Sequence, residues 1–151
     1  MDNEGKTRDH SLTVTTELVL PNDANLLGNL LGGRLLHWID IAGALAASRH
    51  SGGIVATIRM DPVEFKHPIY VGNIVSLTSY VTWTGRTSIE TAVDTYAEDV
   101  LTEEKRFINK IYLIFVALDQ NGAKRITPPL IPKTDEERRE WAEAAARRGK
   151  K

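Results

Sequence analysis

Residues 21–50 read PNDANLLGNLLGGRLLHWIDIAGALAASRH. A loop rich in Asn and Gly gives way at Gly33 to a run without turn residues, which predicts a helix to about His50. At 100° per residue, Leu35, Ile39, Ala42, Gly43 and Ala46 share one stripe, bordered by Leu36 and Ala47. Trp38, Ile41 and Leu45 fall on the far side, so the helix is apolar nearly all round, the mark of a buried element. Its small residues let another backbone come close. Arg49 and His50 sit where the helix dipole favours positive charge, and Ser51-Gly52-Gly53 ends the run. The stretch from Arg34 to Arg49 is short for a membrane span and carries Asp40 in its middle.

Asp40 lies at the edge of the apolar stripe. A carboxylate in such a place needs a partner, and a desolvated carboxylate is a stronger base than a surface one. Two readings stay open: a boundary acid bonded to a neighbouring backbone or an arginine, or a general base. The loop before the helix bears on the choice. Asn25, Gly28, Gly32 and Gly33 precede a helix N-terminus, whose free N–H groups can bind an oxyanion or polarise a carbonyl. The same glycines also suit a tight loop that needs positive φ.

Outward from the helix, the chain reads as strands. Thr13–Leu20 is β-branched and predicts a first strand. Residues 54–65 predict another, with Pro62 confining its second half to an edge or bulge. In 74–84, Val75, Leu77, Val81 and Trp83 alternate with Ser76, Thr78 and Thr82. In 87–98, Ile89, Val93 and Ala97 alternate with Ser88, Glu90, Asp94 and Glu98. Residues 107–118 are apolar on both faces and predict a central strand covered on both sides. The three prolines of 126–132 cannot continue such a strand, and Asp119-Gln120-Asn121-Gly122 marks a turn. Thr134 with Glu137 forms a capping box for a second, exposed helix that Trp141 can dock, ending in a basic tail read as solvated.

Strands of ten to twelve residues span roughly 35–40 Å and can curl around a helix roughly 25 Å long. One helix covers only one face of such a sheet, which leaves surface for a second copy of the chain. The fold class is therefore α+β. Residues 1–12 are expected to be a disordered segment, 13–132 the folded domain and 133–151 a charged helix and tail.

The 151 residues suit one domain. A net charge of −1 supplies no basic field for nucleic acid. The absence of cysteine excludes disulfides, a Cys nucleophile and a thiolate zinc site, and fits a cytoplasmic location. The opening MDNEGKTRDHS lacks the apolar core of a signal peptide. No G-x-S-x-G, H-E-x-x-H, phosphate-binding loop or dinucleotide fingerprint occurs, and the scattered histidines predict no metal site. The usable groups are Asp40, Asn25, the loop amides and His37, which also reads as structural. Gly85-Arg86-Thr87-Ser88 and Lys66-His67 can grip an anionic ligand, or serve simply as polar turns.

The run LPNDANLLGNLLGGRLLHWID, followed by AASRH, MDPVEF, PIYVGNIV, GRTSIE and FVALD in order, resembles the hotdog-fold acyl-CoA thioesterases of the cytosolic acyl-CoA hydrolase type. The resemblance spans about residues 13–130. It implies a long central helix wrapped by a curved antiparallel sheet, plus the C-terminal helix, in dimers that pair their sheets and assemble into hexamers. It implies hydrolysis of medium- to long-chain fatty acyl-CoA, without a cofactor beyond the coenzyme A of the substrate. By motif position Asp40 matches the catalytic acid and Asn25 the catalytic Asn, contributed from opposite protomers. Gly32 and Gly33 match the amides that face the thioester carbonyl. Gly85, Arg86, Thr87 and Ser88 match the segment associated with coenzyme A, and Lys66 is a further candidate there. The chain departs from the family pattern at Pro62, Ile89 and Asn109-Lys110, and has His67 where Arg is frequent. An acyl-thioester hydratase and a non-catalytic acyl-CoA sensor are the alternative readings. A hydratase needs a His at the site, for which only His37 is available. A sensor binds acyl-CoA without turnover.

Overall fold

A computed structural model describes residues 4–149. In chain order the elements are β1 (Lys6–Thr7), α1 (Arg8–Ser11), β2 (Thr13–Leu18), α2 (Gly32–Ser51), β3 (Ile54–Met60), β4 (Ile74–Thr84), β5 (Ser88–Glu98), β6 (Lys105–Leu118), β7 (Leu130–Ile131) and α3 (Asp135–Arg147). β2, β4, β5, β6 and β3 lie side by side in that order, every neighbouring pair antiparallel. β3 stops at Met60, two residues before Pro62, and forms an edge. A proline there supplies no N–H to a ladder. Register shifts at Thr57/Arg59, Val81/Trp83 and Thr95/Tyr96 bend the long strands, as bulges do. The result is an open, curled sheet wrapped around one long helix, the hotdog arrangement that the motif run implies.

α2 lies on the inner face of the sheet. Leu35, Ile39 and Ala42 pack against Val75, Leu77, Val81, Ile89, Val93 and Phe115 in one core. The helix approaches closely at Gly43: a Cβ there would stand 2.9 Å from Thr91 Oγ1 and 3.2 Å from the Phe115 ring. Gly52, at φ 78°, ends the helix in the left-handed conformation that glycine favours. Ile41 and Leu45 are exposed on the far side as the wheel places them, but Trp38 is buried. No helix among the described residues is long and apolar enough to cross a membrane.

Four expectations are corrected on the outer face. The segment 1–12 is not disordered where it is described: β1 pairs in parallel with β7, Arg8 meets Glu140 at 2.9 Å, and its guanidinium covers the Tyr80 ring. Residues 1–3 lie outside the described residues. Trp83 does not share the face of Val75, Leu77 and Val81. The bulge after Val81 turns it outward to pack with Ile114 and Ala144. α3 consequently docks through Ala144 and Glu140, while Trp141 stays exposed. The basic end is not wholly solvated either, since Arg147 and Arg148 are ion-paired; Lys150 and Lys151 lie outside the described residues. The capping-box Thr134 accepts from the Glu137 N–H as the sequence predicts. Lys110, which interrupts an apolar run, donates to Tyr80 Oη at 2.6 Å, and Tyr80 donates to Asp94 at 2.9 Å.

His50 closes α2 in full burial, with Nε2 2.8 Å from the Pro128 carbonyl. A carbonyl only accepts, so Nε2 carries the proton, and Nδ1 has no partner among the described residues. Burial pushes the imidazole below its usual 6.5. The unfolded chain therefore binds a proton that the folded chain resists. The stability from neutral His50 is fully present above 6.5 and falls as pH drops from there toward the lowered folded value. Thermal melts are expected to show this slope, and His50→Gln is expected to flatten it.

Candidate active site

The loop between β2 and α2 is built around Asn25. Its Oδ1 accepts from the N–H of Leu27 at 2.9 Å and of Asn29 at 3.1 Å. The Asn25 N–H donates to Asn29 O at 2.8 Å, and Gly28 completes the turn at φ 82°. Because Oδ1 takes two backbone donors, the orientation of the carboxamide is fixed. Its Nδ2 has no partner among the described residues and remains free to donate. Asp23 anchors the same loop, accepting from the Leu20 N–H at 2.9 Å and lying 3.2 Å from Arg34.

α2 begins at Gly32. The N–H groups of Arg34 and Leu35 both reach Leu31 O, at 3.1 Å. Those of Gly32 and Gly33 have no backbone acceptor among the described residues, as expected of a helix's first amides. Asn25 and Gly32 open onto one cavity of about 290 Å³, walled further by Leu35, Phe65, His67 and Pro68. A Cβ on Gly32 would sit 3.1 Å from the Phe65 ring, so the glycine keeps this approach open.

Asp40 is not in that cavity. It is partly exposed rather than deeply buried, and its Oδ1 accepts from Thr57 Oγ1 at 2.8 Å, leaving Oδ2 without a partner among the described residues. Eight residues separate it from Gly32, about 12 Å along the helix at 1.5 Å per residue. One substrate carbonyl cannot lie on the Gly32 and Gly33 amides and also within hydrogen-bond reach of the same chain's Asp40. Thr57, on the edge strand β3, escaped the sequence reading, because a lone Thr in a β-branched run carries no local signal. His37 is exposed and pairs with nothing among the described residues.

The Gly85–Ser88 turn is held from three sides. Gly85 N–H donates to Ser88 O at 2.8 Å, Ala117 N–H to Thr87 O at 2.9 Å, and Thr127 N–H to Arg86 O at 2.9 Å. Arg86 is exposed, and its guanidinium has no partner among the described residues. Ser88 opens onto a second cavity of about 250 Å³ on the outer face, shared with Arg59, Trp83, Arg147 and Arg148. Lys66 stands apart from this turn: it is exposed, and its Nζ is 3.5 Å from Glu64. The described residues hold no cluster of His, Asp and Glu that could bind a metal.

Comparison with known proteins places this geometry. Residues 27–104 match the family described as the thioesterase superfamily. An uncharacterised acyl-CoA thioester hydrolase of Bacillus subtilis, YkhA, is 39% identical over 127 residues, 84% of this chain and 74% of that protein. Among solved structures, an apo-hexameric acyl-CoA thioesterase superposes with a TM-score of 0.91 at 38% identity, covering 97% of this chain and 94% of the other. The acyl-CoA hydrolase of Staphylococcus aureus, solved with butyryl coenzyme A, coenzyme A and coenzyme A disulfide, gives 0.87 at 31% identity, covering 95% and 88%.

Proposed function

The chain belongs to the thioesterase superfamily, and from that membership we propose that it hydrolyses acyl-coenzyme A to the free acid and coenzyme A. The observation that carries the reading is the start of α2, where Gly32, whose amide has no backbone acceptor, and Asn25, whose Nδ2 is free, line one cavity, with the unpartnered Gly33 amide next in the chain. A thioester carbonyl resting there is polarised, and the oxyanion formed on attack is stabilised where charge develops. Asp40, oriented by Thr57, takes a proton from the attacking water. The tetrahedral intermediate then expels the thiolate, which recovers the proton. Direct attack by Asp40, through a mixed anhydride that water cleaves, uses the same carboxylate.

The 12 Å between Gly32 and Asp40 supports a site shared by two chains, Asn25 and the glycine amides from one and Asp40 from the other. β3 supports the same pairing. It is an unpaired edge with Ile54 and Ile58 exposed, and Thr57 lies on it. The proposed assembly joins two chains along this edge, and three such dimers make a hexamer. Outside the acyl channel, Arg86, Thr87 and Ser88 meet the phosphates of coenzyme A, with Lys66 as a weaker contributor because Glu64 shares its charge. The proposed acyl group is of medium to long chain. The test is free-thiol release from a panel running from acetyl- to palmitoyl-CoA. The expected result is turnover that rises toward the longer chains. Binding of acyl-CoA without thiol release would overturn hydrolysis and leave a sensor or a hydratase.

A further inference from the structure

Behind the candidate site, on the outer face of the sheet, lies a charged cluster that the proposed chemistry does not use. Glu90 is fully buried on β5. It accepts from Thr82 Oγ1, from Arg147 Nε and Nη2 at 3.2 and 2.9 Å, and from Arg148 Nε at 2.8 Å. The Arg147 guanidinium carbon also lies over the Tyr112 ring, 3.7 Å from its centroid. Arg148 Nη2 is shared, 2.6 Å from Glu90 and 3.2 Å from Asp61, Nη1 donates to Asp61 at 3.3 Å, and the side chain is nearly buried. One guanidinium thus bridges a carboxylate in the middle of the sheet to a carboxylate just beyond the end of β3.

Asp61 is where the chain leaves the sheet for the wall of the candidate site. Its N–H still donates to Tyr112 O at 2.9 Å. From Pro62 to His67 no backbone hydrogen bond holds the chain among the described residues. The next fixed point is the Pro68 carbonyl, which accepts from Arg106 Nη2 at 3.1 Å. Val63 rests on the core between them. Phe65, His67 and Pro68 wall the cavity that Asn25 and Gly32 share, and the Phe65 ring faces Gly32. The placement of this wall therefore depends on how its first residue is held.

We propose that Arg148 is a positioning residue for the substrate site: by bridging buried Glu90 to Asp61, the end of the C-terminal helix fixes the segment that presents Phe65, His67 and Pro68 to the acyl thioester. The inference rests on reading that cavity as the thioester site. Charge-assisted, bidentate pairing is the strong and directional kind, and here it is shielded from water on the Glu90 side. A helix end that is chemically remote from the reaction then sets substrate affinity through the wall it anchors.

Asp61→Asn and Arg148→Ala test this beside Arg139→Ala, which removes an exposed pair with Glu143 on the same helix. Asp61→Asn leaves Glu90 with both arginines and is the variant expected to keep the fold if Arg148→Ala does not. In substrate-free protein, backbone order parameters from Val63 to His67 are expected to fall from the rigid range of about 0.85 toward about 0.6 in Asp61→Asn, while those of β5 stay unchanged. KM for acyl-CoA is expected to rise by ~10-fold, the weight of one charged hydrogen bond, with kcat within ~2-fold. Arg148→Lys is expected to recover part of the affinity, and Arg139→Ala to match wild type. Unchanged order parameters at Val63–His67, or a fall that extends equally across β5, overturns the proposal. A wild-type protein that releases no thiol overturns the thioesterase reading instead, and leaves the order parameters to judge the clasp.

Discussion

Asp40→Asn is expected to lower kcat for thiol release by about 10²–10⁴-fold, the usual contribution of a positioned general base, while the protein stays folded. The two halves of that statement come from the same geometry. Asp40 is partly exposed and its one hydrogen bond is to a side chain, Thr57 Oγ1, on an edge strand. The amide of Asn can keep that bond through its carbonyl oxygen and keeps the shape, but it cannot accept the proton of water. No buried partner is orphaned, so stability is expected to change by less than about 1 kcal/mol. Kinetics and a thermal melt on the same sample check both halves. Near-normal turnover in the variant would mean that the base is another group. The shared site adds a complementation test within the same experiment. Asp40→Asn mixed with Asn25→Ala, each inactive, is expected to regain activity on exchange of protomers, because every dimer with one chain of each variant contains one site with both native groups.

The second large effect is on stability. Glu90→Leu is expected to cost about 3 kcal/mol, the scale seen when one partner is taken from a buried ion pair. Leucine is close enough in volume that little of the loss comes from an empty space. What remains is Arg147 without a counter-ion, Arg148 with Asp61 alone, and a Thr82 hydroxyl left with only the backbone carbonyl of residue 90, at 3.3 Å. For a chain of this size the midpoint of melting should fall by about 6–12 °C. Urea denaturation measures the free energy directly. A triple change of Glu90, Arg147 and Arg148 to leucine is expected to be less damaging than Glu90→Leu, since it strands neither arginine and leaves Asp61 its pair with Arg59. A single variant within ~0.5 kcal/mol of wild type would show that the arginines simply turn out to solvent.

The parts of the molecule written in local periodicity were legible. α2 and the three long strands announce themselves by their repeat; Gly32 and Gly33, read as preceding the helix, form its first two residues. Asp40 stood out as an acid among apolar residues, although its partner did not. What escaped is carried by pairs far apart in sequence or by a single irregular residue. Arg147 looks like the start of a basic tail until Glu90, fifty-seven residues earlier, is folded beneath it. Trp83 continues the alternation of its strand in every letter, and only the bulge after Val81 turns it to the outer face. Residues 4–12 are polar enough to fray, but Arg8 finds both a carboxylate and a tyrosine ring. The separation of Asp40 from the helix N-terminus was available from residue counting, and it points to a second chain before any contact is inspected.

The pairing of Glu90 with the end of α3 also orders events in time. Chains leave the ribosome N-terminus first, and early segments begin to fold before late ones exist. β4, β5 and β6 can assemble around α2 as soon as Leu118 has emerged. At that moment Glu90 faces outward with Thr82 but without a cation, and Asp61 has only Arg59. The two arginines that neutralise them follow Leu118 by 29 and 30 residues. A nascent chain cut off at that point holds its sheet residues without their outer layer, and the end of α3 supplies both the charge balance at Glu90 and the anchor of Asp61.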